Sequence, residues 1–132
     1  MIAIIDYNAG NLTSVKRAMD RLGRESVITD DCSRIAGAER IIFPGVGAAG
    51  RAMADLKKKG LDRALIEAFN DKKPILGICL GTQIIMETSE ENHTECLGII
   101  KGKVTRFEGG SSGMKVPHMG WNAVIPRSGE AL

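Results

Sequence analysis

Nowhere in these 132 residues does an apolar run reach the length needed to cross a membrane. The opening Met-Ile-Ala-Ile-Ile-Asp-Tyr is apolar at once and lacks the basic segment, long apolar stretch and small-residue cleavage site of a secretory leader. A cytoplasmic protein without a membrane partner is expected. Cysteine is scarce: Cys32, Cys79 and Cys96 are odd in number and show no CxxC spacing, which implies reduced thiols rather than a disulfide framework, and no metal site. Neither a G-x-G-x-x-G nor a P-loop pattern occurs, which argues against nucleotide binding, and no cofactor is implied. An excess of one charge is missing too, with 18 basic and 16 acidic residues and a net charge of +2. The single basic run, Lys57-Lys58-Lys59, reads as a solvated helix end, because nucleic-acid binding needs several convergent cations. No nucleic-acid partner is expected.

What is present is an ordinary globular composition, 43% apolar and 26% charged, in a chain of a length that suits one domain over residues 1–132. Ile2 to Ile5 form an apolar run ending at Asp6, the pattern of a strand buried on both faces. Asn11 is placed to cap a helix in which Val15, Ala18, Met19 and Leu22 recur at spacings of three and four, with Gly23 as its stop. Strands are predicted at Ser26 to Thr29, at Arg40 to Phe43 and at Ile75 to Ile78, with two helices between Ala48 and Asp71. This alternation predicts an α/β fold: a doubly wound, mostly parallel sheet with helices on both faces. After Glu87 the polar "TSEENHTE" reads as a loop, later strands are expected to be antiparallel or at an edge, and Gly109 to Gly113 reads as a flexible connector.

The stretch Gly77-Ile78-Cys79-Leu80-Gly81 joins a predicted strand to a predicted helix, which is the pattern of a nucleophile elbow: small flanking residues allow the tight turn that lifts the nucleophile out of the sheet. A helix beginning beyond Cys79 would favour the thiolate, and the Leu80 N–H could hold an oxyanion. The plain alternative is that Cys79 packs as a small apolar residue. That alternative predicts no second feature, yet Pro44-Gly45-Val46-Gly47 follows another predicted strand, and in such a sheet the carboxyl ends of parallel strands share one edge. The two glycine-rich turns should converge, with an N–H of Gly45 or Val46 offered to a substrate carbonyl.

On "GICLGTQ" and the upstream "FPGVG", the sequence resembles the class I (triad) glutamine amidotransferases. "DYNAGN" near the start and "PHMGWN" late narrow the likeness to the glutaminase subunits of imidazole glycerol phosphate synthase, and the four motifs span almost the whole chain. The resemblance implies a flavodoxin-like strand order and a reaction on L-glutamine. Cys79 would be the nucleophile, and the backbone of Gly45, Val46 and Leu80 the oxyanion hole. Gly47 and Gln83 would line the glutamine site, and Tyr7, Asn8 and Asn11 would face a (β/α)8-barrel cyclase subunit in a heterodimer of histidine biosynthesis. Asn8 stands where the family usually has glycine, a mild variation since Asn tolerates a left-handed backbone. Gln83, four residues after Cys79, would lie one helical turn on and on the same side.

An acyl-transfer cysteine needs a base and a carboxylate to orient it, and the family carries this His and Glu near its C-terminus. The chain ends at Leu132 in "PRSGEAL", ahead of that region, and has only His93, in a polar loop, and His118, in "PHMGWN". The resemblance therefore implies a domain incomplete at its C-terminus and inactive by itself: a truncated gene, a fragment, or one part completed by another chain. Two other classes stay open on sequence: a non-catalytic flavodoxin-like binding module, and another elbow-type cysteine hydrolase.

Overall fold

The computed structural model describes residues 1–107, 116 and 120–125. Four strands, β1 (Ile2–Ile5), β2 (Ser26–Thr29), β3 (Arg40–Gly45) and β4 (Ile75–Cys79), form one parallel sheet in the order β2-β1-β3-β4. Parallel neighbours need crossovers, and helices supply them. Helix α1 (Leu12–Arg21) joins β1 to β2, α2 (Cys32–Gly37) joins β2 to β3, and α3 (Ala49–Lys59) with α4 (Leu61–Asn70) joins β3 to β4. The parallel sheet expected from the alternating pattern is found, in the flavodoxin-like order that the resemblance implied.

Local chemistry sets the helix limits. The Asn11 side chain accepts a hydrogen bond from the Ser14 N–H at 3.1 Å and so caps α1. Helix α2 was not anticipated, because six residues are too few to show a periodic apolar face; its signal is Asp31, whose carboxylate accepts from the Ser33 N–H at 2.8 Å. Cys32 is the first residue of that helix. Lys57, Lys58 and Lys59 form the last turn of α3, where positive charge opposes the negative end of the helix dipole, and Lys59 ties down to the Asp30 carboxylate at 3.0 Å and the Asp6 carbonyl at 3.2 Å.

Side chains alternate across the sheet, so each face can be read from the register. Ala3, Ile41 and Ile75 share one row, and Ile5, Tyr7 and Phe43 continue that face; with Ile35, Met53, Leu56, Leu61, Leu65, Leu80 and Ile84 they form the core. Helices α2, α3, α4 and a short α5 (Leu80–Ile84) thus all contribute to the same side. On the opposite side Ile4, Ile42 and Leu76 form the matching row, with exposures of 0%, 6% and 58%: cover is lost toward the edge strand. Helix α1 contacts β1 and β2 and has no fully buried residue.

Two strand limits move. β3 runs on through Pro44 and Gly45, and β4 through Cys79, because Pro44 pairs with Ile78 and Gly45 with Cys79. The segment expected to be only a polar loop holds two short antiparallel strands, β5 (Thr88–Ser89) and β6 (Thr94–Glu95), of a small second sheet of order β6-β5-β7. β7 (Lys103–Val104), in the stretch where late strands were expected to be antiparallel or at an edge, is at an edge of this sheet and runs parallel to β5. Gly109 to Gly113 and "PRSGEAL" lie outside the described residues, as do Met114, Lys115, Pro117, His118 and Met119 of "MKVPHMGWNAVI"; of that last motif Trp121, Val124 and Ile125 are exposed.

Candidate active site

Cys79 is both the last residue of β4 and the residue that precedes α5, and its backbone turns through φ 55°, ψ −115°, a conformation that non-glycine residues rarely hold. Its neighbours explain the turn. A side chain on Gly81 would overlap the carbonyl oxygen of Phe43, and a Cβ on Gly77 would lie 2.8 Å from the Thr82 nitrogen and 3.0 Å from the Gly81 carbonyl carbon. Only bare backbone fits at either flank. Thr82 closes the turn by donating its hydroxyl to the Gly77 carbonyl at 2.7 Å. The result holds an exposed thiol at the carboxyl edge of the sheet, with the Leu80 N–H following it and the Leu80 side chain buried beneath.

The register brings the second turn alongside: Gly45 pairs directly with Cys79, so the Pro44–Gly47 turn and the elbow are neighbours on one edge. Val46 is exposed and Gly47 adopts φ 98°. The Asp6–Asn11 loop leans on the same turn, with the Cβ position of Gly10 3.5 Å from the Gly45 nitrogen. Asn8 adopts a left-handed φ of 66°, as anticipated for an Asn in place of glycine, and its N–H donates to the Asp6 carboxylate at 3.0 Å. Asn8 and Asn11 are exposed. Tyr7, in the same loop, is fully buried, its ring 5.3 Å from that of Phe43. An aromatic two residues beyond a buried strand residue falls on the core face of the sheet, and burial of its ring decides its direction.

Gln83 and Gly47 line a cavity of ≈ 1060 Å³ together with Glu91, His93, Lys103 and Arg106. Cys79 is not among its lining residues. The second sheet builds this wall. Buried Ser89 accepts from the Glu91 N–H at 3.2 Å, and the Glu91 carboxylate accepts from the N–H of Ala49, the first residue of α3, at 2.7 Å. A carboxylate there meets an unpaired amide at the positive end of a helix. Glu90 accepts from the Arg106 N–H at 2.8 Å and pairs with Lys103 at 2.9 Å; the amide first and the ammonium second hold its carboxyl below the usual carboxylate range. Sequence reasoning missed Glu91 because a glutamate in a polar loop looks like any solvated charge; the only local hint was its place in a run of turn-forming residues. On the other side of the Pro44–Gly47 turn, Asn8, Gly10, Val46, Gly47 and Arg51 line a second cavity of ≈ 370 Å³.

His93 is exposed in the turn Glu91–His93, and His118 lies outside the described residues. Among the described residues no group of three or more His, Cys, Asp or Glu is arranged to hold a metal, and no helix is long and apolar enough to cross a membrane.

A strand-to-helix elbow bearing cysteine, beside a glycine-rich turn on the same sheet edge, defines a class, and comparison with known proteins agrees with it: residues 3–132 match the model of the glutamine amidotransferase class-I family, and the chain belongs to that family. More particularly, it is 50% identical over 132 residues to the imidazole glycerol phosphate synthase subunit HisH of Nitratidesulfovibrio vulgaris (strain DSM 19637 / Miyazaki F), covering 96% of this chain and 62% of that protein. It is 48% identical to the subunit of the same name from Bacteroides fragilis (strain YCH46), covering 93% of this chain and 61% of that protein. The chain thus spans about three fifths of the length of these relatives. Among solved structures, a glutamine amidotransferase crystal structure superposes with a TM-score of 0.69 at 18% identity, over 80% of this chain and 57% of that one. A putative peptidase E from Listeria monocytogenes EGD-e superposes at 0.62 with 15% identity, over 75% of this chain and 62% of that one. These two likenesses speak to the fold alone.

Proposed function

We propose that Cys79 is the nucleophile of a glutaminase acting as a subunit of imidazole glycerol phosphate synthase in histidine biosynthesis. The observation that carries this reading is the pairing of Gly45 with Cys79, which sets backbone amides of one turn beside the thiol of the other. The Cys79 sulfur attacks the side-chain amide carbon of L-glutamine, and the oxygen becomes an oxyanion met by N–H groups from the Gly45–Val46 segment and Leu80. The C–N bond then breaks, ammonia leaves with an added proton, and the γ-glutamyl thioester is hydrolysed to glutamate. Gln83, Gly47 and the Glu91 carboxylate face one cavity, a lining suited to a ligand with an amide at one end and an ammonium at the other. The ammonia is delivered to a (β/α)8-barrel cyclase subunit, docked on the side of exposed Asn8 and Asn11. The names of the relatives at about 50% identity support that partner.

No described histidine is hydrogen-bonded to Cys79, and general acid–base assistance contributes about 10²–10⁴-fold to such chemistry. Residues 1–132 by themselves are therefore inactive in this reading, and turnover needs a further His and Glu together with the cyclase. The test is a glutamine-analogue electrophile followed by mass mapping. Selective modification of Cys79, slowed by glutamine, is expected. Equal modification of Cys32 and Cys96, or no protection by glutamine, would overturn the reading. Robust Cys79-dependent ammonia release by residues 1–132 alone would show that the base lies within them.

A further inference from the structure

We propose that Tyr7 is a positioning residue for the Cys79 reaction: its hydroxyl, sealed behind the junction of β3 and the elbow, sets the seat of Gly45 against Cys79. This rests on the reading of Cys79 as the nucleophile.

The geometry is specific. Tyr7 is fully buried, and its hydroxyl has no hydrogen-bond partner among the described residues. Burying an unpaired hydroxyl is costly, so its persistence asks for a reason that the fold alone does not supply; Phe would fill the same space without that cost. The hydroxyl is also not in a neutral corner. A side chain on Gly45 would begin on top of it, and the same point lies 3.0 Å from the Gly81 nitrogen and 3.0 Å from the Leu80 Cβ. The hydroxyl therefore abuts the Gly45 backbone, and the space beside Gly45 is also bounded by Leu80 and Gly81, the two residues that follow Cys79.

The ring fixes where that atom can be. Packed at 5.3 Å from Phe43 and tilted by 51°, it has little freedom to swing away. Phe43 is itself the residue whose carbonyl abuts Gly81, so Tyr7, Phe43 and Gly81 form one packed stack under the elbow. Electrostatics point the same way. Burial first, and the Cys79 charge second, push the Tyr7 phenol up to about 12, so it stays protonated throughout the range in which a thiol titrates. Of the titratable groups around Tyr7, Cys79 is the one whose charge is felt.

The experiment is the pH profile of Cys79 alkylation by iodoacetamide, read by mass mapping, in the wild-type chain and in Tyr7→Phe, Gly45→Ala and the double variant. Tyr7→Phe keeps the ring and is expected to unfold at the same temperature or higher, yet to alkylate about three- to tenfold more slowly near neutral pH, because Gly45 beside Cys79 has lost its seat. Gly45→Ala is expected to lower the unfolding temperature, and adding Tyr7→Phe to recover part of that loss, since the overlapping atom has gone. A Tyr7→Phe profile superimposable on wild type would overturn the proposal, whatever the stability data; so would a double variant no more stable than Gly45→Ala. If wild-type Cys79 proves no faster than Cys32, the nucleophile reading falls, and the stability cycle still decides whether Tyr7 seats Gly45.

Discussion

On one face of the four-stranded sheet Ala3, Ile41 and Phe43 disappear beneath α2, α3, α4 and α5, while on the other exposure climbs along the row Ile4, Ile42, Leu76. Both faces are written in the same apolar alphabet, as the strands of a parallel sheet with cover on each side must be. The difference lies in what has been placed over them. The sealed face carries the stability and, through Tyr7, Phe43 and Leu80, the support of the elbow. The open face ends in the exposed Leu76 and Ile78 of an edge strand. Strand composition therefore announces that a residue can be buried, and only the neighbours decide whether it is.

The largest effect that could break this contrast is a truncation on each side. Phe43→Ala should cost about 3–5 kcal/mol, and Leu76→Ala no more than about 0.5 kcal/mol, measured as a shift of the urea midpoint at unchanged slope. Equal losses would mean that the open face is covered. A smaller loss is expected from adding one methyl to the sealed side at the elbow: Gly81→Ala should cost about 1–3 kcal/mol, since its Cβ meets the Phe43 carbonyl, whereas Gly37→Ala, with open space around it, should be nearly silent in the same assay.

Thiol reactivity sharpens the comparison without mutation. Cys79 and Cys32 are exposed, while Cys96 is half-buried and packs on the core, and that burial pushes its thiol above the usual range. At pH 8 a disulfide reagent should react with Cys96 last of the three, and an early Cys96 would show that the sealed side opens readily. The smallest effect is expected at the second sheet. The Glu90 carboxyl is depressed, so its contribution is fully present above the ordinary carboxylate value of 4.5 and is lost as pH falls through its lower folded value. Amide exchange at Arg106, corrected for intrinsic rates, should accelerate below that pH, with little change at Ile4.

Much of the main sheet was legible because its signals are local. Short apolar strands, the Asn11 cap and the glycines of both turns each act within a few residues of themselves, and together they imply the order and the shared edge. The second sheet was not legible: strands of two residues, Thr88–Ser89 or Lys103–Val104, are too short to show alternation, and their polarity hides them among loop residues. Of the candidate site, the pairing of Gly45 with Cys79 follows from the topology. The inward turn of Tyr7 continues the alternation of Ala3 and Ile5, whereas the contact of Glu91 with Ala49 depends on which surfaces meet, and no periodicity encodes that.

The backbone at Cys79 carries one more consequence. A non-glycine residue held at such angles costs about 1–3 kcal/mol, so the fold by itself would choose glycine at position 79, and Cys79→Gly should be more stable than Cys79→Ala. For anyone engineering this scaffold, that position sets robustness against reactivity: the residue that best suits the chain has no side chain with which to react, and the exposed thiol held there gains nothing from packing.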